Sequence, residues 1–138
     1  MSHINKISHI LLTDLASVAG ACERLGALLT EGQTTHEYYG GKGRCEHAIG
    51  VPGVTYEVGL TKEGEGYSLN ADLYGSPYPR HAGGTHDGNR LRDVFGEGFT
   101  KLIDAYSTEV LRKKARAEGY ICSEKVREDG RIALTITK

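Results

Sequence analysis

The chain reads as an α+β two-layer sandwich, a mainly antiparallel sheet with two helices on one face. Three observations carry this reading. Apolar and polar residues alternate over 54–60, 67–74 and 131–137, the two-residue period of half-buried strands. Stretches 15–25 and 99–118 instead repeat their apolar residues every three or four positions, as a helix packed on a sheet does. The turns Lys62-Glu63-Gly64-Glu65-Gly66 and Glu128-Asp129-Gly130 are short and glycine-bearing, which suits antiparallel neighbours. With 138 residues there is chain for a single domain around one core, 1–138.

The elements follow in order. Ile4, Ile7, Ile10, Leu11 and Leu12 make a first strand over about 3–12. Thr13 and Asp14 then supply helix N-cap chemistry. Leu15, Val18, Ala19, Cys22 and Leu25 share one face of a helix over 15–25 that Gly26 stops. Residues 30–44 are polar and glycine-containing, so they read as a loop or ragged edge. Three strands follow at 45–51, 54–60 and 67–74. Residues 75–98 form a glycine-rich loop with no periodicity of its own. Phe99, Leu102, Ile103, Tyr106, Val110 and Leu111 mark a second helix over 99–118. A hairpin of 120–127 and 131–137 ends the chain. The order β-α-β-β-β-α-β-β suits a ferredoxin-like core with an added hairpin.

Composition narrows the function classes. A net charge of −1 provides no bulk field for nucleic acid or an anionic membrane. No run approaches the roughly 20 apolar residues of a membrane span. The N-terminus lacks a signal-peptide layout. Three cysteines, an odd number without a CxxC pair, point to free thiols in a reducing cytoplasm rather than a disulfide scaffold. Eight tyrosines and no tryptophan suit a thin, half-exposed sheet or an interaction surface.

Several segments also resemble a known family. The start MSHINKI, the helix ending GACERLG, the strands GRCEHAIGVPGVTYEVGL and GYSLNADLYG, and the end KLIDAYSTEVLRKKARAEGYICSEKVREDGRIALTITK are similar to the family called domain of unknown function 1257, or hypothetical chloroplast reading frame 35, in its bacteriophage-type form. The resemblance spans nearly the whole chain except the glycine-rich loop. Members occur in cyanobacteria, plastids and phages, and some are linked to AAA-type ATPases. It implies no catalytic residues, because none is established for the family. Leu73-Tyr74 departs from the aromatic pair usual there, and HAGGTHDG is a local elaboration.

Each candidate site competes with a plainer explanation. His81, His86 and Asp87 offer imidazole and carboxylate ligands for a metal-dependent hydrolase, but His-x4-His-Asp matches no tight signature and reads more simply as a solvated loop. His36, Cys45 and His47 could add ligands, with a half-buried pair as the plainer reading. Arg80, Arg90 and Arg92, with Tyr74 and Tyr78 to stack a base, would cradle a small anionic, nucleotide-like ligand in the loop. That cradle lacks the phosphate-loop pattern GxxxxGK[ST]. Arg112, Lys113, Lys114 and Arg116 form a basic helix end that could meet an acidic partner or simply complement the helix dipole. A Cys45/His47 nucleophile pair lacks an orienting group. No cofactor is implied. The expected function is therefore a non-enzymatic binding or adaptor protein. It would use a tyrosine-bearing sheet face and loop 75–98 to engage a protein partner or form a homo-oligomer, in the cytoplasm of a host if phage-encoded. An anionic-ligand binder is the alternative.

Overall fold

A computed structural model describes residues 4–38, 41–72 and 87–138. Its elements are β1 (Ile4–Leu12), α1 (Leu15–Arg24), β2 (Leu28–Glu31), β3 (Thr35–Tyr38), β4 (Gly41–Arg44), β5 (His47–Gly50), β6 (Val58–Glu63), β7 (Gly66–Asp72), α2 (Asp87–Phe95), a 3-10 turn (Glu97–Phe99), α3 (Thr100–Ala117), β8 (Ile121–Val126) and β9 (Ile132–Thr137). The α+β class, antiparallel pairing and helical layer follow the sequence pattern.

Five strands form the main sheet in the order β1-β7-β6-β5-β2, every neighbouring pair antiparallel. Counting directions across four antiparallel steps, β1 and β2 run the same way at opposite edges. Their separation is about 19 Å, from four strand spacings of about 4.8 Å. The ten-residue α1, about 15 Å long, and its short linkers make that crossing. Asp14 caps α1 by accepting from the Ala16 N–H at 3.2 Å, and it also accepts from the Ser17 hydroxyl at 2.7 Å. β6 and β7 join through Gly64-Glu65, where Gly64 takes φ 59°. That positive φ is open to glycine at low cost.

The core lies between the sheet and α1, α2 and α3. Leu12, Val18, Cys22, Ile49, Val58, Leu60, Leu69, Leu91, Phe95, Phe99 and Leu102 are all essentially fully buried there. Each large side chain contributes about 1.5–3 kcal/mol of transfer free energy. Tyr106 of α3 fixes the entry to α1: its hydroxyl accepts from the Thr13 and Asp14 N–H groups at 3.0 and 3.2 Å.

Three expectations need correction. The span expected as a loop or ragged edge carries strands: residues 30–31 end β2, and 35–38 and 41–44 pair as β3 and β4, four-residue strands too short and too polar to display an alternation. The strand placed at 54–60 begins only at Val58, because the Val51–Val54 turn and the pairing of Glu57 with Glu37 hold 54–57 off the sheet. The described part of loop 75–98, residues 87–98, is α2 and the 3-10 turn. Leu91, Val94 and Phe95 have helical spacing, and Leu91 and Phe95 are fully buried. The finer topology differs too. A ferredoxin-like core would repeat its β-α-β unit within one sheet. Here α3 leads into a β8–β9 hairpin that forms a separate two-stranded sheet.

Candidate functional site

The anticipated ligand residues do not converge among the described positions. Tyr74, Tyr78, Arg80, His81 and His86 lie outside the described residues. Asp87 is the first residue of α2. Arg90 is exposed on that helix and donates to the Gly53 carbonyl at 2.8 Å, tying α2 to the turn before β6. Arg92, half-buried and itself engaged, is two residues on and so about 200° round the helix. Among the described residues no group of three His, Cys, Asp or Glu side chains is placed to hold a metal.

The basic end of α3 is half committed to internal contacts. Arg112 bonds Glu124 at 2.6 Å, and Lys113 bonds Asp14 at 2.9 Å, while Arg116 is exposed. The Cys45/His47 pair is not assembled either. Cys45 is buried, donates its thiol to the Gln33 carbonyl at 3.2 Å, and has its pKa pushed up to about 11, chiefly by burial. His47 Nδ1 accepts from the Gly32 N–H at 2.9 Å, so Nε2 carries the proton toward the Tyr67 hydroxyl at 3.2 Å. Both imidazole nitrogens are thus occupied by groups other than the thiol.

No described tyrosine is exposed. Tyr56 and Tyr106 are buried, while Tyr38, Tyr67 and Tyr120 are half-buried. The described tyrosines therefore anchor the fold rather than furnish an open aromatic face.

His36 was noted in the sequence only as a spare metal ligand, and the structure gives it another setting. It sits in β3, 2% exposed, with its ring laid across two glycines. A Cβ on Gly43, its cross-strand partner, would come within 2.6 Å of Nε2. A Cβ on Gly59 of β6 would lie 2.9 Å from Cγ and nearer still to Cδ2. Gly59 lies between core residues Val58 and Leu60, so it faces the other side of the sheet. The ring thus clips the β3–β4 hairpin onto that side. Its Nδ1 is buried with no hydrogen-bond partner, and burial lowers the imidazole pKa, with Glu57 opposing the shift.

Among the described residues, three of the five exposed large aliphatic side chains lie on the terminal hairpin. Gly119, at φ 83°, turns the chain out of α3, and Tyr120 N–H closes on the Ala115 carbonyl at 2.8 Å. β8 and β9 then pair in register from Ile121↔Thr137 to Val126↔Ile132. One face holds Cys122, Glu124, Val126, Ile132, Leu134 and Ile136. Glu124 points this face at the helices, bonding Arg24 of α1 at 2.5 and 3.0 Å and Arg112 of α3. Arg24 also pairs with Glu109 at 2.5 Å. The two guanidinium groups, Arg24 first, hold the Glu124 carboxyl down at about 2. Yet no hairpin residue is fully buried, and Ile121 and Val126 are about two-thirds exposed (66% and 68%). Between the hairpin turn and the first half of α3 lies a cleft of about 850 Å³, walled by Ile103, Asp104, Val126 and Ile132 among others.

No family model, curated protein or solved structure matches this chain. The candidate surface therefore rests on its own geometry. The hairpin and its cleft combine exposed aliphatic side chains, open strand edges and an ion-paired base. That arrangement can bind another polypeptide, and among the described residues no group of three His, Cys, Asp or Glu side chains is placed to hold a metal.

Proposed function

We propose that this protein is a non-enzymatic binding or adaptor protein that works through a protein partner or through its own assembly. The observation that carries this reading is the β8–β9 hairpin. A two-stranded sheet is marginal on its own. This one adds no fully buried residue to the core and exposes Ile121, Val126 and Ile136. Large aliphatic groups left exposed on both faces of one two-stranded element suit a surface that becomes covered. Free Cys22, Cys45 and Cys122 suit a reducing compartment, and no described helix is long and apolar enough to cross a membrane. The proposal accordingly includes a cytoplasmic setting, that of a host cell if the chain is phage-encoded, and it retains the resemblance to the family of unknown function.

Affinity capture from the source cells tests it, with the native chain beside an Ile121→Ser/Val126→Ser variant. Both positions are exposed, so the fold should tolerate the change. The native chain should retain a stoichiometric partner or further copies of itself, and a partner held through Ile121 and Val126 should be lost by the variant. Recovery of bare monomer with the native chain would sink the proposal.

A further inference from the structure

We infer that β9 is a self-association edge: two copies pair antiparallel through β9, centred on Thr135, and fuse their hairpins into one four-stranded sheet. This rests on the binding reading above and names the partner as a second copy of the chain.

The first argument is which edge stays open. Asp104 of α3 accepts from the Ile132 N–H at 3.3 Å, at the start of β9. Two turns later the same helix reaches β8, where Arg112 meets Glu124. The helix therefore crosses beneath the hairpin diagonally, and the rest of the β9 edge has no strand beside it among the described residues.

The second argument is direction. Because the Ile132 N–H leaves the ladder for Asp104, it points away from β8. Residues two apart on an antiparallel strand point the same way. Leu134 and Ile136 therefore also aim their N–H and C=O groups outward.

The third is chemistry. Edge strands in proteins that stay single are blunted by charge, proline or bulges. β8 carries Glu124 and Lys125, but β9 is Ile-Ala-Leu-Thr-Ile-Thr, with none of these. An uncharged edge meets no repulsion from its own copy and has nothing to pair with a charged strand. About a two-fold axis at Thr135, Leu134 of each copy opposes Ile136 of the other as hydrogen-bonded pairs, giving four N–H···O bonds. Ala133 opposes Thr137, and Thr135 opposes Thr135, a favourable cross-strand pair. Leu134 and Ile136 of both copies then form one apolar row, covering the 42% exposed Ile136. Asp104 occupies the next outward donor at each end, so the pairing closes as a dimer of limited area, on the weak side of stable interfaces.

Sedimentation of the full chain over a concentration series should show mass rising from 15.0 kDa toward twice that value. Thr135→Lys sets two like charges on the axis. Its side chain is exposed, so the variant should fold as the native chain does yet stay monomeric throughout. In a Cys122→Ser background, Thr135→Cys should form an intermolecular disulfide on oxidation. Directly opposed residues of a non-hydrogen-bonded pair have Cα atoms about 4.5 Å apart, within disulfide range. Ser123→Cys, one strand further from the axis, should not cross-link. A monomer at all concentrations with no Thr135→Cys cross-link overturns the inference, as does a dimer indifferent to Thr135→Lys. If the chain is monomeric but captures another protein through Ile121 and Val126, the inference falls and the binding function stands. If it captures nothing, both fall.

Discussion

Replacing Gly59 with alanine tests the slot that holds His36. The new Cβ would lie 2.9 Å from the imidazole Cγ and closer to Cδ2, well inside any real contact. The ring has little room to retreat, because it is buried and lies close over Gly43 as well, where an added Cβ would meet Nε2 at 2.6 Å. Overpacking of this kind costs about 1–3 kcal/mol. Relieving a mid-strand glycine returns about 0.5–1 kcal/mol. The net expectation is a loss of about 1–2 kcal/mol, read as a lowered urea midpoint with an unchanged m-value. With His36→Ala the obstruction is gone, and Gly59→Ala should then stabilise slightly. The cycle should therefore give a coupling of about 2 kcal/mol. Equal effects of Gly59→Ala in the two backgrounds would refute the packing account.

Four further outcomes are expected. Burial lowers the His36 pKa from 6.5, so the unfolded chain binds the proton more readily; stability should fall as pH drops below 6.5, and His36→Ala should flatten that slope in pH-dependent urea melts. Glu124 is likewise depressed, from 4.5 to about 2, so its contribution is full above 4.5 and lost as pH falls through 2. Arg24→Met should cost about 1 kcal/mol at neutral pH after solvent screening, with the difference shrinking below pH 4.5 in the same melts. Tyr106→Phe keeps the ring but strips the acceptor from the Thr13 and Asp14 N–H groups; a loss of about 1–3 kcal/mol in thermal or urea unfolding is expected. A thiol reagent at neutral pH should modify half-buried Cys122 first, with Cys45 and Cys22, pushed to about 11 and about 12 by burial, reacting only on unfolding.

What was legible in the sequence was what periodicity encodes. α1 and α3 each have a long apolar stripe, and both occur within a residue or two of the expected limits. The hairpin turns at Gly64-Glu65 and Glu128-Asp129-Gly130 were marked by residues that tolerate the required backbone. β3 and β4 were not legible, since four residues cannot establish a period and their only buried side chain is a histidine. α2 was obscured by its glycine and charges, although Leu91, Val94 and Phe95 carried the signal. The site was harder still. The glycines at 43 and 59 look like ordinary turn or strand glycines until the His36 ring is placed between them. The tyrosines gave no sign of whether they would be anchors or an open face. β9 shows only the alternation of a half-buried strand, and nothing local tells a strand inside a sheet from one left at its margin.

The placement of β1 bears on how the chain reaches this state. β5, β6 and β7 are consecutive, joined by residues 51–57 and by the Gly64-Glu65 turn, so they can zip together with little loop-closure entropy. β1 instead pairs with β7 in a register that sets Ile4 against Asp72, closing nearly half the chain. Such non-local pairings slow folding and form late. Destabilising substitutions in β6 and β7 should therefore slow folding. Those that loosen β1 should mainly speed unfolding, with φ-values near zero. The sheet's first strand in sequence would be its last in time.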